Sequence, residues 1–111
     1  MPTVNIYFKN SDQRTKLSSL VPELKSLVAK ELTCGDIALT PEEVSVRFIE
    51  GVGDFMIGSV EVDIHAYAFE DRIKKQDEIC LSIMDYIQTK EPSVGVVKVW
   101  LILSELGHSW K

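Results

Sequence analysis

The stretch from Ser59 to Phe69 constrains the fold more than any other part of the chain, because its residues alternate between two faces without a break. A strict period of two predicts a β-strand with one face in the core. A strand of this length needs partners to bind its backbone N–H and C=O groups, so further strands are expected. The side chains that would share its core face are Val60, Val62, Ile64, Ala66 and Ala68.

Three other segments are typical of strands and two are typical of helices. The predicted strands are Thr3–Phe8, Val44–Ile49 and Gly95–Leu103, and the predicted helices run over about 20–33 and from Glu70 to just before Pro92. Lys9–Gln13 reads as a polar loop that leaves the first strand.

Pro22 fixes where the first helix begins, since proline is costly in a helix interior but tolerated in the first turn. Ser19 is therefore the expected N-cap, and Gly35 is a natural stop after the last turn. The second helix has an apolar stripe at helical spacing. Its expected buried residues are Ile73, Cys80, Ile83, Met84 and Ile87.

The resulting order, β-α-β-β-α-β, predicts an α+β fold with a four-stranded mixed sheet and both helices on one face. A chain of 111 residues with 45% hydrophobic content is expected to form one domain, 1–111, of two β-α-β halves at about 1–50 and 59–104 with a short C-terminal tail.

The sheet face opposite the helices would be bare. It carries large apolar side chains, so we expect other subunits to cover it. These side chains are Tyr67, Phe69, Trp100 and Ile102.

The composition argues against several classes of partner. A formal net charge of −5 disfavours nucleic acid, and no apolar run reaches the length of about 20 residues that a membrane span needs. No export signal is visible, so we expect a cytoplasmic protein. Cys34 and Cys80 form no metal or redox motif and are expected to be reduced and packed.

Pro2 is the most suggestive residue for chemistry. If Met1 is removed, Pro2 carries a free secondary amine, and an α-amino group titrates near pH 8 in water. Burial beside a positive charge would bring that pKa toward neutrality, where a general base works best. While Met1 is retained, the same nitrogen is an amide with no basicity.

The chain resembles the tautomerase superfamily, on the Met-Pro start, the two β-α-β units and two short motifs. Ser45-Val46-Arg47-Phe48-Ile49 and the following Phe55-Met56-Ile57-Gly58-Ser59 are similar to the centre of 4-oxalocrotonate tautomerase. In length and flanks the chain looks closer to 5-carboxymethyl-2-hydroxymuconate isomerase, with Leu20-Val21-Pro22-Glu23-Leu24 and Leu103-Ser104-Glu105-Leu106 as the shared features. Macrophage migration inhibitory factor is a more distant relative of the same architecture.

The resemblance implies a homotrimer with active sites at subunit interfaces and neither metal nor cofactor. It implies that Pro2 is the acid/base, that Arg47 binds the substrate carboxylate and stabilises a dienolate, and that Phe55 forms an apolar wall. Asn10 stands where short tautomerases have a further arginine, and Arg72 could supply that second cation. Trp100 would face either the pocket or only the interface.

The function this implies is a tautomerase or isomerase of small unsaturated oxo- or hydroxy-carboxylates. One alternative is a catalytically silent trimer of the same fold that acts as a binding or scaffold protein, and another is a ferredoxin-like sensor of small ligands, which would be a dimer.

The candidate site residues also have structural explanations. Arg47 could form an ion pair with Glu50, Glu61 or Asp63, and Phe55 could be a loop anchor or trimer contact. The row Glu61, Asp63 and His65 favours a polar face over a metal site.

Overall fold

The structure is a computed structural model that describes residues 2–35, 38–52 and 56–105. These residues form four strands and four α-helices, together with 3-10 turns at Pro41–Glu43 and Pro92–Val94. The elements are β1 (Thr3–Phe8), α1 (Ser11–Ser18), α2 (Val21–Leu32), β2 (Ser45–Glu50), β3 (Val60–Tyr67), α3 (Glu70–Lys74), α4 (Gln76–Lys90) and β4 (Val97–Ser104).

The four strands form one sheet in the order β2-β1-β3-β4. β1 runs parallel to β2, β3 runs parallel to β4, and the central pair β1 and β3 is antiparallel. This is the predicted mixed sheet, with strand ends shifted by one or two residues. Each parallel pair is joined by a helical crossover, as parallel strands require.

The core lies between one face of the sheet and the helices α2 and α4. The strands alternate between buried and partly exposed positions, so that Val4 and Ile6 of β1 and the even-numbered residues of β3 point into it. The helices complete the core with side chains at helical spacing, namely Leu24, Val28 and Leu32 of α2 and Ile79, Ile83 and Ile87 of α4. The prediction of two main helices on one sheet face is confirmed.

Helix α1 replaces the loop predicted at Lys9–Gln13. Asn10 is its N-cap, and the Asn10 side chain accepts a hydrogen bond from the backbone N–H of Gln13 at 2.9 Å. The helix is almost wholly polar, with only Gln13 and Leu17 buried, so it has no apolar stripe that periodicity could detect. The loop prediction was wrong because a side-chain cap, and not amphipathicity, defines where this helix begins.

Ser19 is not the N-cap of α2. The N-cap is Leu20, which makes no side-chain capping bond, and Ser19 ends α1 instead. The Ser19 hydroxyl donates to the backbone carbonyl of Lys16 at 2.7 Å, and so it serves the helix that precedes it. Pro22 does lie in the first turn of α2, as predicted.

The second predicted helix is broken at Lys75, whose backbone (φ −110°, ψ 12°) leaves the helical region. The break sets α3 and α4 in different phases. Ile73 is therefore half exposed, contrary to the prediction, while Arg72 is buried beside it. In α4, Ile83 and Ile87 are buried and Cys80 and Met84 are packed against the core as expected, and Ile79 joins them.

The sheet face away from the helices is bare in the isolated chain. Four large apolar side chains lie exposed on it, one or more on each of β2, β3 and β4: Ile49, Tyr67, Trp100 and Ile102. Exposed apolar side chains grouped on one face in this way are typical of an interaction site. Among the helices of the described residues, none is both long and apolar enough to cross a bilayer.

Candidate active site

Pro2 is buried at the very start of β1, one of the two inner strands. Its carbonyl oxygen accepts a hydrogen bond from the backbone N–H of Ser45 at 3.0 Å, and this bond joins the start of β1 to the start of β2. Pro2 has the same parity as Val4 and Ile6, and its ring belongs to the core side of the strand.

Arg47 lies in the middle of β2, opposite Asn5 of β1, and its side chain is on the bare face. It is exposed, and among the described residues it forms no ion pair within 4 Å. Glu50, Glu61 and Asp63, the ion-pair partners that the sequence allowed, are thus not engaged by it. Strand geometry puts Arg47 about 10 Å along the sheet from the position of Pro2, so one chain alone does not bring the two together.

Trp100 of β4 lies on the same bare face, beside Asp63 of β3. It is 42% exposed and lines a cavity of about 280 Å³. The other residues around this cavity are Tyr7, Gly51, Met56, Glu61, Asp63 and Ile102. The residues that line the cavity range along the sheet from Tyr7, near the far end of β1, to Ile102, which pairs with His65 at the level of Thr3. Among the described residues, its lining contains two carboxylates and no cation, and this part of the cavity does not suit a carboxylate substrate.

Asp63 is the centre of a polar cluster on the bare face. Its Oδ1 accepts a hydrogen bond from Asn5 Nδ2 at 2.8 Å and lies 3.2 Å from His65 Nε2. Burial, followed by the charge of Asp63, raises the pKa of the Tyr7 phenol. The Asn5 Oδ1 atom is buried and has no donor among the described residues. Sequence reasoning placed Asn5 and Tyr7 on this face but missed their contact with Asp63, which only the β1–β3 register reveals.

Glu61 and His65 flank Asp63 along β3 on the same face. The Glu61 carboxylate accepts the backbone N–H of Ile57 at 2.8 Å, and His65 faces Asp63. In the described part of the chain, no group of three His, Cys, Asp or Glu side chains is arranged to hold a metal ion.

Arg72 is 4% exposed and is held by internal contacts. Its Nε donates to the carbonyl of Leu32 at 2.9 Å, and its Nη1 donates to the carbonyl of Tyr67 at 3.0 Å. The guanidinium stacks over Phe69 at 4.8 Å, and Cys34 lies beside it. Burial lowers the pKa of Arg72, an effect that Cys34 opposes. These contacts explain why Arg72 is buried; a role in binding substrate stays a prediction. Phe55, the predicted apolar wall, lies outside the described residues.

Comparison with known proteins assigns the fold through structure alone. No family model and no curated protein sequence matches the chain. Solved structures do: 5-carboxymethyl-2-hydroxymuconate delta-isomerase matches with a TM-score of 0.64 and 9% identity, over 100% of this chain and 86% of that one.

Two further structures match over nearly the whole chain. A fused 4-OT described as a symmetric trimer gives a TM-score of 0.62 at 11% identity, over 96% of this chain and 91% of that one. A macrophage migration inhibitory factor-like protein from Entamoeba histolytica gives 0.60 at 13% identity, with coverage of 97% and 95%. The chain therefore has the fold of the tautomerase superfamily, as the sequence resemblance predicted.

Proposed function

We propose that this chain is a cofactor-independent keto–enol tautomerase or isomerase of small unsaturated oxo- or hydroxy-carboxylates, with Pro2 as the acid/base. The observation that carries the proposal is the position of Pro2, buried immediately before the first residue of an inner strand, in a fold shared with an isomerase and a 4-OT. The proposal requires that Met1 is removed, because only then is the proline nitrogen basic.

The surroundings of Pro2 suit a general base. A free ammonium at this position would be partly desolvated, and desolvation favours the neutral amine and lowers its pKa from about 8 toward neutrality. The neutral nitrogen can take a proton from a carbon next to the substrate carbonyl and return it to a different carbon or to the enolate oxygen. One proton leaves and one is restored, so the reaction is an isomerisation with no net consumption of acid or base.

Arg47 is the proposed electrophile. Its guanidinium is exposed and offers a planar fork that matches a carboxylate or an enolate oxygen. A cation at the developing enolate is worth most where water is excluded. Since Pro2 and Arg47 are separated within one chain, the complete site would take Arg47 from a second copy, with Phe55 and Trp100 as apolar walls.

The bare sheet face supports an assembly of this kind. A closed ring brings different surfaces of successive copies together, and a homotrimer is the smallest ring that does so with one repeated heterologous contact. The fused 4-OT that shares this fold is itself described as a symmetric trimer. A homotrimer with interfacial sites is thus part of the proposal.

The silent trimer is the second candidate, and one contact favours it. Asn10, which replaces the arginine expected after the first strand, carries no positive charge to bind an anion, and its side-chain oxygen caps α1. The ferredoxin-like sensor has less support. A split β-α-β unit leaves another strand between its two parallel strands, whereas β1 and β2 are direct neighbours here.

The test has two steps. The intact mass of untagged protein from its native host reports whether Met1 is present, and ketonisation of phenylpyruvate or 2-hydroxymuconate enol then reports turnover. We expect a mass lacking one methionine, and a loss of kcat/KM of at least about a hundredfold in Pro2→Ala, since general acid–base catalysis contributes about 10²–10⁴-fold. Arg47→Gln should also lower kcat/KM, and Arg14→Gln, on the exposed face of α1, is its matched control. A protein that keeps Met1 and turns over none of these substrates contradicts the proposal and favours the silent trimer.

A further inference from the structure

The centre of the bare face holds the polar cluster that the proposed chemistry leaves unused. Asp63 Oδ1 lies 2.8 Å from Asn5 Nδ2 and 3.2 Å from His65 Nε2, with Tyr7 close by. The Asp63 side chain is 21% exposed and that of His65 is 44% exposed, so both still contact water in the single chain.

Apolar side chains surround this cluster in the sheet. The register places Trp100 next to Asp63, Ile102 next to His65 and Ile49 next to Tyr7. Whatever covers these three exposed apolar side chains must also remove water from Asp63 and His65. Burial of a lone carboxylate is costly, and burial of a hydrogen-bonded ion pair costs less.

Histidine is the residue type whose charge ordinarily changes between pH 5 and 8, and His65 is the histidine on the described part of this face. Among the described residues, the other charged or titratable groups on the face come from all four strands: Tyr7 of β1, Arg47 of β2, Glu61, Asp63 and Tyr67 of β3, and Lys98 of β4. Lys98 is paired in register with Glu61, on the far side of the face from His65. Protonation of His65 therefore changes the Asp63–His65 pair from a net charge of −1 to an ion pair with no net charge.

We propose that the His65–Asp63 pair makes self-association of this chain proton-dependent, so that assembly through the bare face tightens as the pH falls from 8 to 6. This rests on the oligomer of the proposed function. The covering partner is a second copy of the chain, and a closed ring repeats the same pair in every copy. With His65 neutral, each copy buries a carboxylate that Asn5 hydrogen-bonds but whose charge His65 does not balance, and with His65 protonated each copy buries an ion pair. Because the assembled state then binds more protons than the free chain, lower pH favours assembly.

The proposal is tested by dilution of the full chain at pH 6, 7 and 8 at constant ionic strength, with the oligomer measured by sedimentation velocity. We expect the dissociation constant to rise about tenfold or more between pH 6 and 8. Uptake of about one proton at each contact on assembly is enough to give a change of this size. His65→Gln should abolish this dependence. Asp63→Asn removes the buried carboxylate and should associate more tightly than the unmodified chain at pH 8.

His108→Gln is the matched control, because His108 is the second of the two histidines in the chain and lies outside the described residues. It should keep the full pH dependence. Circular dichroism checks that each variant is folded, and if His65→Gln is not, Asp63→Asn alone decides. Association that does not vary with pH in the unmodified chain, or a dependence that His65→Gln retains, overturns the proposal but leaves the oligomer and the tautomerase activity standing. A monomer at every pH overturns both this proposal and the proposed trimer.

Discussion

Arg72 is a buried cation, and its environment is unlike that of a surface arginine. Its side chain donates hydrogen bonds to the carbonyl of Leu32, the last residue of α2, and to that of Tyr67, the last residue of β3. Its guanidinium plane lies over the ring of Phe69. The two carbonyls belong to different β-α-β units, so a single side chain joins the end of the first unit's helix to the end of the second unit's first strand. A charged donor of this kind is worth more than a neutral one.

Arg72→Met should lower the free energy of unfolding by about 1–3 kcal/mol, because it keeps most of the volume but removes the charged donor from the buried Leu32 carbonyl, while the Tyr67 carbonyl keeps the backbone N–H of Phe69. Urea unfolding followed by circular dichroism measures this. Arg14→Met, on the exposed face of α1, should change stability by less than about 0.5 kcal/mol. Equal stability of the two variants would contradict the structural role of Arg72.

Tyr86 of α4 provides a pH-dependent contact with α2. Its hydroxyl donates to Glu23 Oε2 at 2.7 Å, and burial together with this bond raises the pKa of Tyr86 to about 12. An unfolded tyrosine titrates near pH 10. The contribution of this contact to the free energy of unfolding is therefore complete below about pH 10 and is lost as the pH rises through about 12.

Glu23→Gln should lower the pKa of Tyr86, since it removes the carboxylate that opposes ionisation of the phenol. Absorbance at the phenolate band during an alkaline titration measures the shift, with Tyr86→Phe used to assign the transition. Glu42→Gln, at an exposed position of the Pro41–Glu43 turn, should leave the transition in place. A Tyr86 transition that is the same in Glu23→Gln would argue against this contact in solution.

Among the elements, α1 shows how a polar segment becomes ordered. Its single buried polar side chain, Gln13, accepts from the backbone N–H of Lys9 at 2.8 Å. The Gln13 amide donates to the carbonyls of Ser59 and Val94, which lie far away in sequence. The helix is thus attached to the entrances of β3 and β4 by hydrogen bonds more than by apolar contact.

Gln13→Ala should destabilise the fold by about 1–3 kcal/mol, because three backbone groups lose their partner at once. Chemical denaturation gives the magnitude, and hydrogen exchange of the α1 amides should show that this helix opens first. Thr15→Ala, on the exposed side of the same helix, serves as the control. If α1 exchanges no faster in Gln13→Ala than in Thr15→Ala, the attachment is not made by this side chain.

At the scale of the whole molecule, one face of the sheet is packed against helices and the other is exposed. The packed face is covered by α2 and α4, while the bare face combines exposed Trp100 and Ile102 with the Asp63 cluster. This division places the proposed active sites between copies, because Arg47 belongs to the bare face and Pro2 to the core side of the sheet entrance.

Trp100→Glu should leave the chain folded but raise the dissociation constant of the oligomer by about tenfold or more, since a buried tryptophan often dominates an interface. Light scattering over a dilution series measures this at fixed pH. Ile73→Glu, at an exposed apolar position on α3, should leave assembly unchanged. An unaltered oligomer in Trp100→Glu would exclude the bare face as the contact.

The sequence alone determined the elements with strong local signals. The alternation of β3, the proline in the first turn of α2 and the β-α-β-β-α-β order were all readable, because period and turn chemistry act over a few residues. Those signals predicted the sheet, its helix-covered face and the apolar character of the other face.

The tertiary structure decided what depends on contacts between distant segments. Arg72 faces inward, and Ile73 outward, because the carbonyls of Leu32 and Tyr67 meet there. Asn5 and Asp63 are 58 residues apart and meet only through the register of β1 and β3. Registers and helix phases follow from the lowest free energy of the whole packed core, and no local pattern encodes them.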